Sequence, residues 1–184
     1  MRTALKIIAV LIVIAVAGFF LFAPAYVEST RNAVVPHDPY PVSDAARALH
    51  DDMIVGDWHA DSLLWNRDIT ERGDRGQVDV PRLIEGGVAI QIFTAVTKSP
   101  AGQNYEENSA DAFDNITPLA IGQLWPMRTW TSILERALYQ AEKLHKAAAK
   151  DPEHLTIIKS LADLEAHLAA RAAGSQAVGG ILGI

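Results

Sequence analysis

A histidine and an aspartate two residues apart, His59 and Asp61, are the residues of this sequence best suited to chemistry. They follow a short apolar run at residues 53–56, which is typical of a central, buried strand in a parallel sheet. Because side chains alternate along a strand, the two should project from the same face. An imidazole and a carboxylate can together hold a divalent cation such as zinc, and active sites of α/β proteins lie at the carboxyl ends of strands. The spacing therefore predicts a metal site, and a capping aspartate beside an interfacial histidine is the alternative.

The composition limits the classes of protein and of site that the sequence can form. Its 184 residues are 49% hydrophobic, which is enough for one domain with a hydrophobic core. A net charge of −6 argues against nucleic acid as the main partner. Since the sequence has no cysteine, disulfides and thiolate metal sites are excluded, and histidine and carboxylate must hold any metal.

The N-terminal segment predicts an association with the membrane. Arg2 and Lys6 precede an uncharged apolar run at residues 7–25, intermediate in length between a signal-peptide core and a full membrane span. The unbroken apolar run favours a signal anchor in residues 1–25, whereas the Ala-Pro-Ala at residues 23–25 leaves a cleaved signal peptide open. The positive-inside rule places the rest on the periplasmic side of the cytoplasmic membrane, either as a single-pass protein or secreted after cleavage.

The remaining sequence predicts a linker and an α/β domain. Residues 26–42 are polar and carry three prolines, which is typical of an extended linker. In residues 43–184, apolar strand patterns alternate with helical patterns, which predicts parallel strands joined by right-handed crossovers. We expect strands over residues 53–57, 88–96, 155–158 and 177–184, and helices over residues 44–51, 81–85, 131–150 and 161–173.

Several residues have predicted structural roles in the helices. Ser43, Asp79 and Ser160 precede helical patterns and should be N-caps. His145 and His167 lie on helices, where we expect a solvated or interfacial position for the first and a structural role for the second. The predicted apolar stripe of the helix over residues 131–150 consists of Ile133, Leu134, Leu138, Ala141, Leu144 and Ala148.

Three runs of sequence resemble the membrane (renal-type) dipeptidases, a family of zinc-dependent metallopeptidases. They are D-W-H-A-D-S-L at residues 57–63, R-G-Q-V-D-V-P-R-L at residues 75–83, and E-G-G-V-A-I-Q-I-F at residues 85–93. The resemblance extends from about residue 43 to the end, in the family's order and approximate spacing. The family usually opens with Asp-Gly-His-Asn-Asp, so both ligand positions are kept here while Trp58 and Ala60 replace the glycine and the asparagine.

The resemblance implies a fold, an activity and a cofactor. It implies that residues 43–184 form the N-terminal part of a (β/α)8 TIM-type barrel and that His59 and Asp61 bind the first of two Zn2+ ions. The implied reaction is metal-assisted hydrolysis of dipeptides, and a homodimer of the intact protein is compatible with it. In the family, a strand like residues 178–184 leads into a glutamate that bridges the zinc ions. We therefore expect this chain to be truncated before that glutamate, without a catalytic residue of its own, and unstable and inactive alone.

Two other interpretations stay open at the level of sequence. G-D-W-H at residues 56–59 also resembles the strand-end motif of calcineurin-like metallophosphoesterases, and G-D-R-G at residues 73–76 resembles part of their next motif. That family requires Gly-Asp where this chain has Asn66-Arg67, and a Gly-Asn-His that this sequence lacks. The other interpretation is a non-enzymatic, membrane-tethered fragment that binds partners through an open sheet.

Overall fold

The computed structural model describes residues 2–184, which form two compact units. One unit contains the residues up to Ala33 together with Thr97–Glu135, and the other contains Val34–Val96 and Arg136–Ile184. His59 and Asp61 belong to the second unit. The helices and strands in chain order are α1 (Arg2–Arg31), α2 (Asp44–Asp51), β1 (Val55–Ala60), α3 (Val80–Glu85), β2 (Val88–Thr94), α4 (Ile116–Gly122), α5 (Ile133–Lys150), β3 (Leu155–Ile157), α6 (Leu161–Ala172) and β4 (Val178–Gly183).

The first unit is organised around the long helix α1. By length and composition, α1 is the one helix within residues 2–184 that could cross a membrane. Helix α4 packs against it through Gly122, where an added β-carbon would lie 3.4 Å from Pro24 and 3.6 Å from Phe19. The missing side chain of this glycine therefore allows the two helices to approach closely.

Helix α1 is longer than the sequence predicts. It continues to Arg31, so the first six residues of the predicted extended linker, 26–31, are helical. The hydroxyls of Ser29 and Thr30 donate to carbonyls three residues earlier, which is compatible with a helix. The prolines of the linker lie further along, so none of them interrupts the helix before Arg31.

The second unit contains a four-stranded parallel sheet with the strand order β1-β2-β4-β3. Five residue pairs join β2 to β4, whereas three join β3 to β4. The short strand β3 therefore lies at one edge, beyond the strand that follows it in sequence. Strand β1 forms the other edge, so the expectation that His59 lies on a central strand is wrong for this sheet.

Strand β1 also begins and ends later than predicted. It spans Val55–Ala60 instead of residues 53–57, and His59 therefore lies within the strand. Met53 and Ile54 are exposed, because the chain there is still leaving helix α2. The Met53 N–H donates to the carbonyl of His50. This hydrogen bond forms a reverse turn directly after the last turn of α2.

A hydrophobic core covers one face of the sheet. Phe93 of β2, Leu155 of β3, Val178 of β4 and Leu144 of α5 are fully buried and belong to one cluster. Full burial of an apolar side chain of this size stabilises a fold by about 1.5–3 kcal/mol. The alternation of β2 places Phe93 on this covered face and its neighbours Ile92 and Thr94 on the opposite one.

Candidate functional site

The side chains of His59 and Asp61, called the candidate pair below, lie together at the carboxyl end of β1. The distance between His59 Nε2 and Asp61 Oδ1 is 3.3 Å. Both side chains are open to solvent, with 71% and 44% of their surface exposed. The prediction that they project in the same direction is confirmed, and their role as metal ligands stays a prediction.

An extra residue in β1 determines which face of the sheet the candidate pair occupies. Asp57 pairs with Gln91 and Ala60 pairs with Phe93, so three steps along β1 match two steps along β2. Ala60 therefore turns toward the covered face together with Phe93, and the candidate pair turns to the opposite face. Bulges of this kind often redirect side chains beside active sites.

The side chain of Gln91 lies where the ladder between β1 and β2 is irregular. It is fully buried, and its Nε2 donates to the carbonyls of Asp57 at 3.4 Å and of Ile92 at 3.0 Å. Within residues 2–184, its Oε1 is buried without a hydrogen-bond partner. The amide group thus supplies a donor to β1 at the residue where the bulge begins.

Thr94, at the end of β2, contacts the candidate pair from the neighbouring strand. Its hydroxyl donates to Asp61 Oδ1 at 2.5 Å. The same carboxylate oxygen faces the imidazole of His59. From the sequence, Thr94 is only a polar residue in an apolar strand, although its place at the carboxyl end of the next strand is a signal that could have identified it.

The V-D-V-P-R-L run has a structural function in the loop after the candidate pair. Asp79 is buried and accepts hydrogen bonds from the backbone N–H groups of Arg82 at 3.0 Å and Gly73 at 3.1 Å. The guanidinium of Arg82 pairs with Asp79 and donates to the carbonyl of Gly73 at 2.7 Å. Asp79 therefore caps α3 as predicted and also holds the preceding loop in place.

Two side chains of α5 bind the chain segments that follow β1 and β2. Gln140 is fully buried, accepts from the N–H of Val96 at 3.1 Å and donates to its carbonyl at 3.0 Å. Lys143 Nζ donates to the carbonyls of Leu63 at 2.6 Å and Trp65 at 2.5 Å. The sequence does not reveal either role, because both residues are polar and lie outside the predicted apolar stripe.

The histidines of α5 and α6 do not join the candidate pair. His145 is exposed on α5. His167 is buried, with Nε2 2.9 Å from the carbonyl oxygen of Ala89 and Nδ1 3.2 Å from the hydroxyl of Thr156, which confirms its structural role. In the part of the chain that the structure describes, no three His, Cys, Asp or Glu side chains are grouped so that they could hold a metal ion. The pair is thus one ligand short of the three that a catalytic zinc usually has.

Comparison with protein families identifies the chain. The family model for membrane dipeptidases, peptidase family M19, matches residues 43–181. The matched region includes the candidate pair and all three runs that carry the resemblance. No curated protein matches the chain significantly. The match favours a dipeptidase-type hydrolase over a metallophosphoesterase. Because it covers more than half of the sequence, the chain belongs to the membrane dipeptidase family.

Proposed function

We propose that this chain is part of a zinc-dependent dipeptidase in which His59 and Asp61 bind one zinc ion. Membership of a dipeptidase family supports a peptide substrate, and this family is zinc-dependent in general. The observation that carries the proposal is the distance of 3.3 Å between His59 Nε2 and Asp61 Oδ1.

This distance fits two ligands of one tetrahedral zinc ion. Zinc–nitrogen and zinc–oxygen bonds are about 2.0–2.2 Å long, so two donors on one tetrahedral ion lie about 3.3–3.5 Å apart. The donor types fit as well, since imidazole and carboxylate are common ligands of catalytic zinc. Both side chains are open to solvent, which leaves the site accessible to a small peptide.

A zinc ion held there would polarise the scissile carbonyl and lower the pKa of a water molecule. The contribution of this chain is to position the ligands. His59 and Asp61 present their donor atoms from one face of β1, and Thr94 holds the carboxylate from β2. Gln140 and Lys143 hold the backbone that follows each of these strands.

The proposal extends to the fold of the intact enzyme. Strands β1, β2 and β4 lie side by side in the sheet, in the same order in which they occur along the chain, as the strands of a (β/α)8 barrel do. We assign these three strands to such a barrel. The short strand β3 precedes β4 in the chain but lies beyond it in the sheet, so we treat it as an additional strand that is not one of the barrel strands. The candidate pair would then lie at the carboxyl-terminal mouth, where the active sites of these barrels are found.

The proposal also places the enzyme at a membrane. Helix α1 has 30 residues, is strongly apolar and begins with Arg2 and Lys6. We assign it as a single-pass anchor with its basic end in the cytoplasm and the dipeptidase domain on the periplasmic side. Cleavage near residue 25 would release the same domain into the periplasm. Fractionation and N-terminal sequencing of the mature protein distinguish the two.

The test is dipeptide hydrolysis by the membrane-bound protein expressed from its complete gene. We expect activity that a chelator removes and zinc restores, and a loss of at least 100-fold in kcat/KM for His59→Ala and for Asp61→Ala. His145→Ala is the matched control, because that histidine is exposed on α5 and lies outside the site. Full activity in His59→Ala, or phosphatase activity without dipeptidase activity, would refute the proposal.

A further inference from the structure

We infer that Thr94 is a positioning residue of the candidate metal site, whose hydroxyl holds the Asp61 carboxylate in the orientation that a cation requires. The inference rests on the proposed function, since it assumes that the candidate pair binds a metal. It adds a residue from the neighbouring strand that neither the H-x-D spacing nor the family match singles out.

The contact between Thr94 and Asp61 has the geometry of a strong hydrogen bond. Thr94 Oγ1 lies 2.5 Å from Asp61 Oδ1, and hydroxyl–carboxylate hydrogen bonds of about 2.5–2.7 Å belong to the charge-assisted class. A carboxylate oxygen has about two lone-pair sites, so Oδ1 can accept from Thr94 and still bind a cation. The 3.3 Å separation from His59 Nε2 is measured at this same oxygen.

The carboxylate needs such a restraint because it is partly exposed. A side chain with 44% of its surface in solvent can adopt several rotamers, and only some of them bring a carboxylate oxygen close to His59. A hydrogen bond from the adjacent strand favours the rotamer that does. Outer-shell partners of this kind typically change metal affinity by about 10–100-fold when they are removed.

Threonine suits this position better than serine, for a reason visible in the sheet. A β-branched side chain has few χ1 rotamers on a strand, so the direction of its hydroxyl is fixed. The methyl group of Thr94 lies beside Gly183 of β4, where an added β-carbon would be 3.2 Å from Thr94 Cγ2. The space left by this glycine therefore accommodates the methyl group while the hydroxyl points to Asp61.

The first experiment titrates zinc alone into the protein expressed from its complete gene and held in detergent micelles. We expect Thr94→Val, which keeps the shape and removes the hydroxyl, to weaken binding about 10–100-fold. Thr94→Ser should recover most of the affinity. The matched control is Thr70→Val, because the Thr70 hydroxyl donates to a different carboxylate, Asp68 at 2.7 Å, outside the candidate pair. Unchanged affinity in Thr94→Val, or equal losses in the serine and valine variants, would overturn the inference.

The second experiment uses no metal, so it separates this inference from the proposed function. Three-bond NMR couplings report the χ1 rotamers of Asp61 in the zinc-free protein. We expect one dominant rotamer in the wild type and averaging in Thr94→Val at an unchanged melting temperature. If the rotamer distribution is the same in both proteins, Thr94 does not position the carboxylate. If it changes but His59→Ala binds zinc as well as the wild type, the positioning stands and the zinc assignment is wrong.

Discussion

Gln140 should be one of the most sensitive polar residues of the second unit. It is fully buried on α5 and makes three hydrogen bonds, two with the backbone of Val96 and one to the carbonyl of Arg136 at 3.1 Å. Gln140→Met keeps the length of the side chain and removes all three. At about 0.5–1.5 kcal/mol for each hydrogen bond, the loss amounts to about 1.5–4.5 kcal/mol. The larger apolar surface of methionine offsets part of it, so we expect about 2–3 kcal/mol.

Native-state hydrogen exchange measures this effect without denaturing the protein, so the protein can stay in the detergent micelle that its apolar helix α1 requires. In Gln140→Met, the Val96 amide should lose protection by more than the amides of the sheet, because its own acceptor is removed. Gln176→Met is the matched control, since it makes the same substitution at an exposed position of the same unit. If the two variants differ by less than about 0.5 kcal/mol, which is within the usual effect of a surface substitution, the buried hydrogen bonds do not stabilise the end of β2.

Two further predictions follow from a glycine and from a histidine outside the site. Gly76 has φ of +76°, and an added β-carbon would displace the Arg67 guanidinium, which donates to the Arg75 carbonyl at 2.7 Å, so Gly76→Ala should lower the melting temperature by more than Gly102→Ala does. Gly102→Ala is its control, because φ is +78° there but nothing lies within 4 Å, so only the backbone strain of about 1–3 kcal/mol applies. The hydrogen bond to Asp151 raises the pKa of His154 above its ordinary value of 6.5. The stability that this pair contributes should be complete below pH 6.5, the ordinary pKa of histidine, and should be lost as the pH rises through the raised pKa of His154 in the folded protein. An NMR titration of the histidine measures that pKa. If the substitution Asp151→Asn leaves the pKa of His154 unchanged, the assignment of the shift to Asp151 is wrong.

The starts of the helices could be predicted because local chemistry determines them. Ser43, Asp79 and Ser160 each accept a hydrogen bond from the backbone N–H three residues later, at 3.2, 3.0 and 3.2 Å. Such a cap needs only one side chain and the first turn of its own helix, so a short stretch of sequence is sufficient to identify it. The structural role of His167 was also predictable, although its partners Ala89 and Thr156 were not.

The apolar stripe of α5 predicted only part of its buried face. Leu144 is buried in the core and Ala148 packs against it, but Ile133, Leu134 and Leu138 are exposed, whereas Gln140, outside the stripe, is fully buried. A hydropathy pattern assigns the buried face to apolar residues and cannot anticipate that Gln140 has two backbone partners at the end of β2. The position of β3 was unpredictable for a related reason. Alternating strands and helices predict parallel pairing, but they do not determine which strand lies beside which.

The candidate pair illustrates the same limit at the site itself. Two residues at positions i and i+2 of a strand must share a face, but sequence alone does not say which face it is. In a regular ladder starting from the Asp57–Gln91 pair, the histidine of the candidate pair would stand opposite Phe93 and face the hydrophobic core. The extra residue before Ala60 reverses this, and it is visible only once β2 is paired. The accessibility of the site therefore depends on the register between two strands. Two side chains bind the backbone of the bulge: Gln91 donates to the Asp57 carbonyl at 3.4 Å, and the Asp57 carboxylate accepts from the His59 N–H at 3.2 Å.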